Sequence, residues 1–332
     1  MRDDGERAGE QHRRAGPLQD AAGDEDRDDH VEQDEEGADA HHEQDRARRG
    51  RRRLCLARRR SLRHAHSVGT GDHAARIARA FTEQAAAFED PAVNRPFTTD
   101  AAWIAEHVAV GPDDLVLDVA AGTGIVARAL APRARAVVAL DATAAMLEAG
   151  RAAAAADGIA NVVFLLGDAT ALPFLDASFD VAVTRFSLHH LEEPARAVGE
   201  MARCLRPGGR VVVADIVADD DPAVAREQDR LERLRDPSHV RLQTTGELAR
   251  LLADAGLAAA RVEWRDVERP LAPWLAQTRV AAATAREIEA ALRRELAGGE
   301  PTGFRPAEAA GALQFTHRYA VATAAAPPTA RA

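Results

Sequence analysis

The stretch Val116-Leu117-Asp118-Val119-Ala120-Ala121-Gly122-Thr123-Gly124 decides the fold, because an apolar strand carrying an acid runs straight into a glycine-rich turn. Glycine allows positive φ and close approach of backbone to a ligand. The helix expected over Ile125 to Ala131 points its N-terminal amides back toward the turn. That is the layout of a nucleotide-like ligand site at the C-terminal edge of a parallel sheet. Asp118 narrows the ligand. A pyrophosphate has no use for a carboxylate four residues before Gly122, whereas a ligand with an ammonium group and ribose hydroxyls does.

Outward from the turn, the pattern is one of apolar strands alternating with helical stretches. Strands are expected at Leu115 to Val119, Ala136 to Leu140, Val162 to Leu166, Phe179 to Arg185 and Arg210 to Asp215. They are runs of Val, Leu, Ile and Ala with little polar alternation, as befits strands covered by helices on both faces. Right-handed crossovers then give an α/β fold with a doubly wound sheet. Upstream, Ala74 to Phe88 repeats apolar residues at helical spacing (Ile77, Phe81, Ala85, Phe88), and Pro91 and Pro96 break it. Thr99 or Asp100 can cap a second helix through Trp103, Ile104 and Val108. Downstream come a helix at Glu247 to Ala255, a strand at Ala259 to Glu268 and a last strand at Gln314 to Thr323. Between those two strands lies a long insert, Pro270 to Pro306, with a helix from Ala281 to Leu296. Inserts of that length are usually functional, and this one is expected to act as part of a lid.

Composition bounds the rest. The chain has 332 residues, 46% of them apolar, enough for one or two domains with a proper core. All 43 basic residues are arginine. Without lysine, Schiff-base chemistry and a P-loop are excluded. The net charge of −10 argues against a general nucleic-acid binder. Two cysteines, Cys55 and Cys204, make neither a metal cluster nor a convincing disulfide, so no metal site is expected and a reducing, cytoplasmic setting is. No apolar run approaches the roughly 20 residues that span a bilayer. Residues 1–67 differ from everything after them. They are acidic from Asp24 to Glu36, basic from Arg46 to Arg60, and lack aliphatic periodicity. Such a segment reads as a disordered tail, as a basic arm, or as out-of-frame translation upstream of a true start near Val68. The expected division is therefore 1–67 as tail or extension, 68–325 as the domain with lid elements at 73–108 and 270–306, and 326–332 as a flexible end.

Five features at one sheet edge need a single explanation. Asp118 with Gly122 and Gly124 is the first. Asp141 stands 19 residues beyond Gly122 at the end of the second strand, where an acid can accept ribose hydroxyls. Gly167-Asp168-Ala169 closes the third strand and can set a carboxylate against an adenine amine. Arg185-Phe186-Ser187-Leu188-His189-His190 closes the fourth, and Leu205-Arg206-Pro207-Gly208-Gly209 turns into the fifth.

In this order and spacing the five resemble the class I S-adenosylmethionine-dependent methyltransferases, and within them the branch of the ubiquinone and menaquinone C-methyltransferases. The resemblance spans roughly Ala74 to Thr323. It implies a seven-stranded, mostly parallel sheet with an antiparallel last strand and helical lid elements, and S-adenosyl-L-methionine as cofactor. It also implies roles: Asp118 with the backbone of Ala120, Gly122, Thr123 and Gly124 at the methionine end, Asp141 on the ribose, Ala142 and Met146 along the adenine. Asp168 and Ala169 would hold the adenine amine and ring nitrogen, and Arg185 would add mainly backbone contacts near the methyl donor.

Methyl transfer from a sulfonium needs alignment and desolvation more than a dedicated residue. A base for the acceptor's proton is expected from His190, Asp215 or His239, the last in a proline-punctuated polar segment that also holds Arg241. The acceptor is expected to be a small, modestly apolar molecule, quinone-like or another secondary metabolite, methylated on carbon or oxygen. Two other readings stand beside this. A nicotinamide-dependent oxidoreductase shares the sheet but needs neither Asp118 nor Asp168, and a catalytically inactive cofactor-binding module would keep the turn without the chemistry.

Overall fold

The computed structural model describes residues 72–89 and 102–328. The readings made for residues 1–67, Pro91, Pro96, Thr99 and Asp100 fall outside them. The sheet contains β1 (Leu115–Val119), β2 (Ala136–Asp141), β3 (Val162–Leu166), β4 (Phe179–Arg185), β5 (Leu205–Val217), β6 (Ala258–Pro270), β7 (Ala307–Ala309) and β8 (Ala312–Ala325). Its order is β3-β2-β1-β4-β5-β8-β6, with β7 paired to β8. The first five strands are parallel, and β8 runs against β5, β6 and β7. The seven-strand path is the expected one. The short β7 adds an eighth strand through a hairpin at Ala310-Gly311, whose φ values of 51° and 75° suit a two-residue turn.

The helices are α1 (Asp72–Phe88), α2 (102–107), α3 (Ile125–Leu130), α4 (Ala144–Ala156), α5 (Pro194–Cys204), α6 (Pro222–Arg235), α7 (Thr245–Asp254), α8 (Leu271–Gln277) and α9 (Ala282–Leu296). Successive strand residues point to opposite faces, and in the central strands β1, β2 and β4 both faces are buried, whereas the edge strand β3 leaves Val163 and Leu166 exposed. Leu117, Val138 and Val213 pack with Met201 of α5 and Leu252 of α7. Val116, Val137 and Val212 pack on the other side with Ile104 of α2 and Leu130 of α3. α7 opens with a capping box in which the Thr244 hydroxyl accepts the Glu247 amide and the Glu247 carboxylate accepts the Thr244 amide.

The insert after β6 is a packed satellite rather than a loose loop. Trp274 of α8, Ile288 and Leu292 of α9, Phe304 and Phe315 share a third cluster with Leu231 of α6. Strand order reverses between β1 and β4, which opens a crevice at their C-terminal ends. No helix among the described residues is long and apolar enough to cross a membrane.

Candidate functional site

The turn after β1 is built from unusual backbone. Ala120, Gly122 and Gly124 all have positive φ (53°, 58° and 71°), the first of them without the freedom of glycine. The conformation is held from three sides. Ala121 donates its amide to the Leu140 carbonyl, Gly124 to that of Ala121, and Gly122 to the Asp141 carboxylate at 2.8 Å. Helix α4 presses on the turn at Gly150, where a Cβ would lie 2.4 Å from the Thr123 carbonyl oxygen. The Thr123 hydroxyl is buried with no hydrogen-bond partner among the described residues.

Asp118 lies beneath this turn, not in it. It is 1% exposed, and one carboxylate oxygen accepts the Ala127 amide of α3 at 2.9 Å. Burial pushes its pKa up to about 7, against the pull of the Arg185 guanidinium and the Ala127 amide. Asp118 and Gly124 support the cavity from behind its lining, whereas Ala120, Gly122 and Thr123 form the wall. Arg185 lines the cavity too, and its charge acts on Asp118 as well as its backbone shaping the strand end.

Asp141, Ala142 and Met146 continue the wall. Asp141 accepts the Thr143 amide at 2.8 Å with its second oxygen, and burial raises its pKa above the ordinary value despite these amides. Asp168 and Ala169 follow at the end of β3. Asp168 uses one oxygen for both the amide and hydroxyl of Thr170, each at 2.7 Å. The backbone beyond is braced by Arg203, whose guanidinium binds the carbonyls of Leu172 and Phe174 and the carboxylates of Glu200 and Asp176.

The far end of the cavity is a buried chamber of histidines and acids. His189 Nδ1 lies 2.5 Å from Asp215, which is itself fully buried on β5. Burial disfavours charge on His189, but the Asp215 carboxylate outweighs it and raises the pKa above the ordinary histidine value. His190 goes the opposite way. Burial and the neighbouring His189 push it down to about 3. The Ser238 hydroxyl donates to Asp236, so His190 Nδ1 donates to Ser238 at 3.0 Å. His239 Nε2 meets Asp229 at 2.8 Å, and the rings of His189 and His239 stand 5.5 Å apart. Glu232, Arg235, Arg269 and Trp274 complete this end, with Arg235 stacked 4.5 Å over Trp274. Helix α1 closes one side. His73 donates to the His190 carbonyl, and Phe81 meets the His190 ring edge-on at 5.0 Å.

The structure thus brings Ala120, Gly122, Thr123, Asp141, Ala142, Met146, Asp168, Ala169, Arg185, His190 and His239 onto one cavity of about 1260 Å³. Asp215 reaches it through His189. Arg241 does not join them: half exposed, it turns outward to Glu247 at 3.0 Å. None of α2 lines the cavity, since Ile104 and Ala105 face the sheet core. The sequence alone does not single out His189 from His190. Two adjacent histidines past a strand end give no periodicity that says which faces the crevice, and only the partner on β5 distinguishes them.

A family model described as a methyltransferase domain matches residues 117–213. A demethylmenaquinone methyltransferase of Clavibacter sepedonicus is 34% identical over 226 residues, 67% of this chain and 89% of that protein. The chain belongs to the class I S-adenosylmethionine-dependent methyltransferases. An uncharacterized methyltransferase, YcgJ of Bacillus subtilis (strain 168), is 37% identical over 154 residues, which cover 46% of this chain and 59% of that relative, less than two thirds of its length. A crystal structure described as that of a methyltransferase from Bacillus halodurans C-125 superposes with a TM-score of 0.64 at 28% identity, covering 69% of this chain and 99% of the other.

For a methyltransferase of this class, the residues present fit the cofactor. A Cβ added at Gly122 would meet nothing within 4 Å, so the turn leaves open space on its cavity side. The unpartnered Thr123 hydroxyl and the carboxylates of Asp141 and Asp168 offer polar atoms along the same wall.

Proposed function

We propose that this methyltransferase transfers a methyl group from S-adenosylmethionine to carbon or oxygen of a small-molecule acceptor, quinone-like or another secondary metabolite with an electron-rich ring. The observation that carries the reading is the single cavity that runs from the glycine turn, Asp141 and Asp168 to the histidine chamber. The cofactor supplies a sulfonium-activated methyl group. Asp118 and the backbone of Ala120, Gly122, Thr123 and Gly124 would hold its methionine end, with Asp118 acting electrostatically from beneath the turn. Asp141 would take the ribose, Ala142 and Met146 the adenine face, and Asp168 with Ala169 the adenine edge.

The chamber would take the acceptor. Phe81, Phe174 and Phe186 line the cavity and offer aromatic surface to a ring. The Clavibacter relative bears a name of that substrate type. Of the candidate bases, His239 and Asp215 stay in play through their Asp229 and His189 pairings, whereas His190, held neutral and far below the ordinary histidine pKa, is suited to donate or orient rather than to take a proton.

The test is a screen with radiolabelled S-adenosylmethionine over phenols, hydroquinones and small acids. Label entering one class of acceptor supports the reading. Cofactor binding with no transfer to any acceptor points to an inactive module, and reduction of a nicotinamide cofactor with an alcohol would point to an oxidoreductase.

A further inference from the structure

We propose that His189 takes the acceptor's proton, with Asp215 as its positioning residue, so that the acceptor class is one that yields a proton: a phenol, a hydroquinone or a carbon acid. This rests on the methyl-transfer reading above. His189 sits in the short helical turn Leu188–His190, just past the end of β4, the strand paired with β1, and lines the same cavity as the glycine turn. Asp215 grips it twice, at Nδ1 (2.5 Å) and, more weakly, at its backbone amide (3.3 Å). The His189 carbonyl in turn accepts the amides of Val240 and Arg241, which ties the His239 loop to it. With Nδ1 committed to the carboxylate, Nε2 is left as the basic atom, and no described residue hydrogen-bonds it.

The step balances without further reagents. The acceptor's electron pair forms the new bond to the methyl carbon as the carbon–sulfur bond breaks onto sulfur. The acceptor's proton goes to His189 Nε2, and the Asp215 carboxylate faces the imidazolium that results. The groups surrounding His189 favour that charge. Asp215 comes from β5, Glu232 from α6 and Asp236 from the end of α6. Burial works against ionising Glu232, but His317 and Arg235 hold its carboxyl down at about 2, so it stays anionic. His190, on the same turn, is neutral, and His239 is engaged with Asp229. Because the folded pKa of His189 lies above 6.5, the base is lost as pH falls through that higher value.

The experiment uses the full chain with ¹³C,¹⁵N-labelled histidine, assigned by comparison with His189→Gln. The expected result is a His189 ring that titrates above pH 6.5, carries its neutral-state proton on Nδ1, and drops by about one pH unit or more in Asp215→Asn. With an acceptor from the screen, His189→Gln should lower kcat at least about 100-fold, leaving the calorimetric Kd for S-adenosylmethionine within about twofold. Asp215→Asn should move the acid limb of the rate profile downward. A ring that titrates at or below 6.5, a neutral proton on Nε2, or undiminished kcat in His189→Gln overturns the assignment. A wild-type protein that binds no S-adenosylmethionine overturns the methyl-transfer reading instead.

Discussion

The Asp141 carboxylate accepts the Gly122 amide at 2.8 Å and the Thr143 amide at 2.8 Å, so one acid at the end of β2 fixes both its own turn and the glycine turn of β1. The same side chain lines the cavity. With the ribose role proposed for it, cofactor affinity and turn geometry are coupled through this one side chain.

Asp141→Asn keeps the shape but offers one acceptor oxygen in place of two. Hydrogen bonds to charged groups contribute about 1.5–3 kcal/mol each, so the Kd for S-adenosylmethionine should rise at least about tenfold. Calorimetric titration measures it, and an unchanged Kd would contradict the ribose role.

Asp118 sets a pH dependence whose sign follows from its pKa of about 7 in the fold, above the ordinary 3.8. The folded state binds the extra proton, so this contribution to stability is complete below pH 3.8 and is lost as pH rises through about 7. Thermal denaturation across that window should show a flatter profile in Asp118→Asn than in the wild type. A bound ammonium would pull the group back to its ionised form. Calorimetry at pH 6.5 in two buffers of different ionisation enthalpy should then register proton release on cofactor binding, and proton uptake would count against this placement.

Gly150→Ala tests the packing of α4 on the turn. Alanine is the better helix former by about 1 kcal/mol, yet its Cβ would sit 2.4 Å from the Thr123 carbonyl oxygen and 2.6 Å from the Phe164 ring. Overpacking of this kind costs about 1–3 kcal/mol. Urea denaturation should show a net loss of stability together with weaker cofactor binding, and a more stable variant would show that the turn can yield.

Much of this was legible in the chain. Leu115–Val119, Val162–Leu166 and Phe179–Arg185 have the bounds that their apolar runs suggest. A strand buried on both faces, as β1 and β4 are, needs an uninterrupted apolar run, whereas β3 keeps such a run with Val163 and Leu166 exposed at the sheet edge. β5 was harder. It begins at Leu205, which pairs with Phe179 of β4, and Gly208 and Gly209 exchange hydrogen bonds with Ala326, extending the ladder through residues that read as a turn. The same bonds hold Ala326 against β5. The acids at the strand ends were visible because the topology brings all strand ends to one edge. Which of His189 and His190 is paired was not visible, since the pairing with Asp215 is set across 26 residues by strand register. The proximity of Gly150 to Thr123 was hidden for the same reason. Asp118 was identified from its spacing, but its burial beneath the turn is a property of α3 docking, which spacing does not encode.

Cys204 should be chemically silent. Burial pushes its thiol up to about 12, leaving almost no thiolate at neutral pH. Peptide mapping after treatment of the native protein with iodoacetamide at pH 8 should find Cys204 unmodified, and rapid labelling would mean that the core around Met201 opens readily.

The central claim is that the edge formed by the glycine turn, Asp141 and Asp168 seats S-adenosylmethionine. Isothermal titration of the full chain with S-adenosylmethionine tests it most directly. The account predicts saturable binding at one site per chain, weakened at least about tenfold by Asp141→Asn. No binding at millimolar cofactor, or equal binding by the variant, would contradict it.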